Sequence, residues 1–177
     1  MRRNYLLVLA ACLLFGGCLW SSKVIKSGQA SEPGLSVEVL RPDILVKGGS
    51  LILEPFKAGP GAEATPELDR MALSIVKGAV DAMEGGSSRM YYKSPDSSGG
   101  ADLLVEGHIE KVQAPGFVDG LLFKKEAVFL VKADVRDVAS REVVALVFGR
   151  RVVPDGSRGF QQAAYDFGRD MVLELNK

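Results

Sequence analysis

The chain has 177 residues, in which 22 Lys and Arg balance 22 Asp and Glu. That length suits one compact domain that needs no disulfide staple, and the balanced, mixed-sign charge excludes the basic field required to hold nucleic acid. With two cysteines and the lone histidine His108, a structural zinc site of the Cys/His type is excluded by inventory.

The first residues read as a targeting segment. Met1-Arg2-Arg3-Asn4 is a short basic stretch, and Tyr5 to Phe15 is an apolar run of 11 residues. Such a run is too short for a stable membrane span of about 20 residues and fits the hydrophobic core of a secretory signal. Gly16-Gly17-Cys18 follows and resembles the bacterial lipobox, with Phe15 departing from the usual Leu and Leu14 adjacent. The resemblance implies cleavage after residue 17 and an S-diacylglycerol and an N-acyl chain on Cys18; no other cofactor is assigned. Leu9-Ala10-Ala11-Cys12 matches the lipobox letters better, but it would leave an apolar run of only about five residues; Cys18 is preferred for that reason. The remaining alternative is an uncleaved amino-terminal anchor. Cleavage would remove Arg2, Arg3 and Cys12, leaving 20 basic against 22 acidic side chains and no thiol beyond Cys18. Multiple acyl chains anchor stably where one does so only marginally. Leu19, not Asp, follows Cys18. By the enterobacterial sorting pattern this implies the periplasmic face of the outer membrane, with the inner membrane as the alternative.

Residues 18–34 are polar and rich in Ser and Gly, and read as a flexible tether. About 16 residues of coil reach roughly 20–25 Å. The domain is expected over 35–177. Leu35, Val37 and Val39 alternate with polar residues; Pro42 interrupts, and Ile44-Leu45-Val46 reads as a continuation of an edge strand. Gly48-Gly49 turns the chain into Leu51–Phe56, whose near-continuous apolar run predicts a buried strand. Thr65 as N-cap, Pro66 at the first helical position and Glu67 and Asp69 in the first turn open a helix over 66–84, closed by Gly85-Gly86. Met90-Tyr91-Tyr92 reads as a short strand. From Ala101 to Val112, Leu103, Val105, Gly107 and Ile109 face one side, and Leu104, Glu106, His108 and Glu110 the other. Residues 113–125 form a loop. Alternation over 127–135 and at Val143, Ala145 and Val147, in a strand that runs to about Val153, predicts a hairpin turning at 137–141. A closing helix over 158–175 carries Phe160, Ala163, Ala164, Phe167, Met171 and Leu175 on one face. The fold class is therefore α+β: a single mixed sheet of about four to six strands with two amphipathic helices packed on it.

Ser50-Leu-Ile-Leu-Glu-Pro-Phe56, the helix, Gly100-Ala-Asp-Leu-Leu-Val-Glu-Gly-His-Ile109, the hairpin with its Asp137-x-x-Ser140 turn and the closing helix together resemble a group of periplasmic lipoproteins. The group includes the curli-secretion lipoprotein, the lipoprotein activator of penicillin-binding proteins and the amino-terminal domain of the Tol-system propeller protein. Pro55-Phe56, Ala101-Asp102 and Gly107 carry the likeness, which covers residues 50–177. The resemblance implies a binding or regulatory domain, not an enzyme. Curli-type members insert long hairpins as pores; here Lys132, Asp134 and Arg136 crowd one face of the 127–153 hairpin, which instead reads as part of the core.

Candidate chemistry is sparse. Glu106, His108 and Glu110 share one strand face about 7 Å apart, a spacing open to a divalent metal or an acid–base pair. Without a second histidine the plainer reading is a solvated strand face, and no metal is assigned. Gly59-Pro60-Gly61 precedes a helix but lacks the Gly-Lys-Ser/Thr ending of a phosphate loop, and the acids of the first helical turn would repel an anion. The serines sit in turns and none lies in Gly-x-Ser-x-Gly, so no catalytic residue is assigned. Tyr91, Tyr92, Phe117 and Phe123 lie in or beside loops and are the candidate partner contacts, weighed against packing at the core or a sheet edge. The expected role is a membrane-anchored periplasmic binding, scaffold or regulatory module with an envelope protein as partner. The alternatives are a component of an oligomeric outer-membrane export assembly and, third, an envelope enzyme acting on peptidoglycan or carbohydrate.

Overall fold

Long runs of largely alternating burial make the center of the molecule. In the computed structural model, which describes residues 34–86, 88–96, 100–113, 127–153 and 157–177, three long strands lie side by side: β5 (Leu103–Gln113), β6 (Ala127–Asp137) and β7 (Val143–Val153). Both junctions are antiparallel, Val105 facing Val135 and Ala133 facing Val147. A bulge between Ile109 and Lys111 shifts the β5–β6 register. It lets two β5 residues oppose one on β6, so that Glu110 joins Lys111 on the side away from the core.

Shorter strands extend the sheet on both flanks. β1 (Gly34–Val39) pairs antiparallel with β7 and forms one edge. On the other flank β2 (Gly49–Leu53) runs parallel to β5, and β4 (Met90–Tyr92) runs parallel to β2. The order is β1-β7-β6-β5-β2-β4, and β3 (Lys57–Ala58) continues beside β5 beyond the end of β2. Pro55 explains the break between β2 and β3, since proline cannot donate to the ladder. The interruption turns Phe56 into the core. The α+β class and the single mixed sheet expected from the sequence are observed, with β3 and a third helix added.

That third helix corrects the sequence reading. Ile44-Leu45-Val46 is not an edge strand: Pro42–Leu45 form a single helical turn, α1. Pro42 sits at its start and Asp43 in its first turn, both favorable there. Leu45 is buried, whereas Val46 is 62 % exposed, so the apolar triplet is split by helical geometry.

The two long helices cover one face of the sheet. α2 (Pro66–Glu84) begins where Thr65 Oγ1 accepts a hydrogen bond from the Leu68 amide at 3.2 Å. It ends at Gly85, and the chain leaves through Gly86 at φ +81°, a conformation that suits glycine. α3 (Ser157–Leu175) closes the fold. The helices cross where Gly78 faces the backbone of Tyr165 and Arg169 and Gly168 faces that of Ile75 and Ala79. Two further glycines, Gly107 and Gly149, lie beneath the rings of Phe56 and Phe167. Those rings meet edge to face with centroids 6.1 Å apart, the arrangement favored by the aromatic quadrupole. Met71, Ile75, Val105, Phe129, Val135, Val147, Phe167 and Met171 are completely buried in this layer.

Candidate functional site

Opposite the helices the sheet has a face that no described element covers, and two kinds of side chain share it. Along β5 and β6 it is charged. Arg136 Nε lies 2.9 Å from Glu106 Oε2, out of line for a hydrogen bond, while Arg136 Nη2 donates to Asp134 Oδ2 at 3.0 Å. Lys132 Nζ is 3.8 Å from Glu110 Oε1. Lys57 and Glu54, 3.5 Å apart, close the end beside β3. Together with His108, which β5–β6 register sets across from Lys132, these residues line a groove of about 220 Å³. Along β6 and β7 the same face is mostly apolar: Val128, Leu130, Leu146, Phe148 and Val152 are half-buried, with Arg150 among them across from Leu130. Register places Phe148 across from Lys132 and Leu146 across from Asp134, so the two halves adjoin.

The predicted Glu106–His108–Glu110 set does share this face, but its carboxylates point to cations of the neighboring strand. Each charge in the groove has a partner of opposite sign at its rim, and pairs this exposed are each worth about 0–1 kcal/mol. Among the described residues, no three His, Cys, Asp or Glu side chains gather as a metal site. The arrangement presents an ion-paired surface, four carboxylates against three cations, able to hydrogen-bond a polar partner.

The candidate aromatic contacts separate. Tyr91 is 59 % exposed, whereas Tyr92 is half-buried and packs against the core. Strand alternation is the cause, because neighboring residues of β4 point to opposite faces. Phe117, Phe123 and Cys18 lie outside the described residues. No helix among the described residues is long and apolar enough to cross a membrane.

Two groups missed in the sequence reading hold the sheet flank. Asp102 Oδ2 accepts hydrogen bonds from the Ser50 amide at 2.8 Å and from Ser50 Oγ at 2.7 Å, and the Asp102 amide is 3.0 Å from Ser50 Oγ. The Ser50 donors hold the Asp102 carboxyl below the ordinary carboxylate range. Arg89 donates to the backbone oxygens of Asn176 at 2.7 Å and Val46 at 3.4 Å, tying the end of α3 to the start of β4. The Ala-Asp pair drew attention as a motif, but its partner Ser50 lies on a strand remote in sequence.

No protein-family model and no characterized protein matches the chain by sequence. Its fold is nonetheless that of solved proteins. PelC from Paraburkholderia phytofirmans, crystallized as a dodecamer, superposes with a TM-score of 0.55 at 18 % identity, covering 81 % of this chain and 98 % of PelC. A substituted PelC dodecamer in a second crystal form gives a TM-score of 0.52 over the same shares. A DUF330 protein from Xanthomonas campestris matches more loosely, with a TM-score of 0.46 at 12 % identity over 77 % of this chain and 89 % of its own. The chain thus has the α+β fold of the PelC subunit.

Proposed function

We propose that the protein is a lipid-anchored subunit of a homo-oligomeric assembly in the bacterial envelope, where it acts as a scaffold or binding module and not as an enzyme. The supporting observation is the match of the described fold to nearly the whole of a PelC subunit, a protein found as a dodecamer in two crystal forms. Of the expected roles, this favors the oligomeric assembly over a regulator that works as a single copy. The lipobox-like Gly16-Gly17-Cys18 supplies the anchor, and several acyl chains would hold the subunit stably on its membrane. The ion-paired face supports a binding role, since its carboxylates are engaged by Arg136, Lys132 and Lys57.

The test is to express the full chain with a carboxy-terminal tag, solubilize the membranes in mild detergent and determine the protein mass of the purified particle by light scattering. A single fixed multiple of the subunit mass is expected; a monomer overturns the reading. Cys18→Ser should move the protein out of the membrane fraction, and retention of the variant there would overturn the anchor.

A further inference from the structure

A sheet that ends in the order β1-β7-β6-β5-β2-β4 has two different edges, and among the described residues neither is paired with a further strand, although the Met90 amide of β4 donates to Ser88 Oγ at 3.0 Å. An unpaired edge is a template for another strand. β1 has little to prevent this: its six residues, Gly34–Val39, contain no proline and no lysine. Val39 and the following Leu40 are 45 % and 44 % exposed, and Tyr91 on the opposite edge is 59 % exposed.

We propose that copies of the chain join head to tail, β1 of one subunit adding to β4 of the next, so that the sheet runs on from subunit to subunit. This rests on the self-assembly reading above and assigns the surfaces that carry it.

Strand direction supports the unlike pairing. β1, β7, β6 and β5 alternate in direction, while β5, β2 and β4 are parallel, so β4 runs opposite to β1 within one subunit. A second copy placed beside the first in the same orientation therefore meets it through an antiparallel ladder, the more stable kind. Charge agrees as well. β1 carries the exposed Glu38, whereas Arg89 and Lys93 flank β4. Pairing β1 with β1 offers Glu38 no opposite charge, since full antiparallel overlap of Gly34–Val39 sets it across from Leu35 of the other copy. Ser36 and Glu38 lie on the open face of the sheet, as does Tyr91, whose register partner is Ser50. A continuous sheet would set them side by side. Joining unlike edges is heterologous, so repetition leads to a closed ring or an open filament and not to a closed dimer.

The experiment is disulfide crosslinking of the full chain in its own membranes. Two double variants, Glu38→Cys with Tyr91→Cys and Ser36→Cys with Tyr91→Cys, cover two registers of the junction. Mild oxidation should convert at least one of them into a ladder of dimer, trimer and larger species on a non-reducing gel, with none from the single variants. Dimers from Glu38→Cys alone would overturn the proposal in favor of β1–β1 pairing. No ladder from either double variant, while the unsubstituted chain keeps its fixed multiple mass, would overturn the edge pairing and leave self-assembly standing. A monomeric unsubstituted chain would overturn both. Glu38→Lys gives an independent arm: loss of the multimer at an unchanged melting temperature is expected, and an undiminished multimer counts against the junction.

Discussion

The two faces of the sheet are built from the same strands, with opposite consequences. On the helix side Val105, Phe129, Val135 and Val147 are wholly buried, and glycines at 107 and 149 give room to aromatic rings. On the other side the residues between them, such as Leu104, Glu106, Leu130, Asp134 and Phe148, keep contact with solvent. One side is a close-packed interior that fixes the fold. The other, among the described residues, is a surface with a mostly apolar half and an ion-paired half.

The sharpest test of this difference is at the helix crossing. A Cβ at Gly168 would overlap the Ile75 carbonyl oxygen, and one at Gly78 would overlap that of Tyr165. Both obstacles are backbone, so the helices would have to part. Gly168→Ala and Gly78→Ala should each destabilize the fold by about 3 kcal/mol, the upper end of overpacking costs. Urea unfolding followed by circular dichroism measures this; a loss below about 1 kcal/mol would show that the helices are not in close contact there.

A matched pair of ring deletions compares the two faces directly. Phe167 is fully buried against Gly149 and the edge of Phe56, so Phe167→Ala should cost about 3–5 kcal/mol. Phe148, half-buried on the open face, should cost about 1 kcal/mol when replaced by Ala, because less of its area leaves water on folding. Equal losses in the same unfolding assay would mean that the open face is packed as tightly as the covered one.

Much of this architecture was legible because the long elements repeat their pattern often enough. β6 alternates over nearly all of its eleven residues, β7 over its middle, and α2 carries its own start and stop in Thr65-Pro66 and Gly85-Gly86. Short elements lack that redundancy. The three apolar residues Ile44-Leu45-Val46 fit a strand or a helical turn equally well, and only Pro42-Asp43 before them signals the turn that forms. β3 has two residues and no period to detect. At the candidate site, alternation along β5 placed Glu106, His108 and Glu110 on one face, but the cations that engage the carboxylates come from β6, whose register is set by pairing at a distance. For the same reason the split between Tyr91 and Tyr92 follows from the seating of β4 on β2 and not from composition.

Acid should loosen the β2 flank before the central hairpin. The two Ser50 donors lower the folded-state pKa of Asp102, so its ionized form adds stability above the unfolded carboxylate value of about 4, and that contribution is lost as pH falls through the folded value. Asp102→Asn should flatten this part of the stability profile while lowering stability at neutral pH. An unchanged slope between pH 5 and 2 in urea titrations, windows chosen to bracket a depressed carboxylate, would show that the Ser50 contacts carry no net stabilization.

The smallest effect is expected at the residue that first invites a catalytic reading. His108 is exposed on the open face, with Lys132 as its cross-strand neighbor. Nothing in the covered layer leans on its ring, so His108→Ala should alter stability by no more than about 0.5 kcal/mol, as exposed positions generally do. If the open face works as a binding surface, the variant should also keep the particle mass and membrane attachment of the parent. An enzyme using the groove would behave otherwise: loss of its single histidine would abolish turnover while leaving the fold intact. Full retention of function in cells carrying His108→Ala as the sole copy is the expected result; a complete loss with normal protein level and particle mass would move the enzymatic reading ahead of the scaffold.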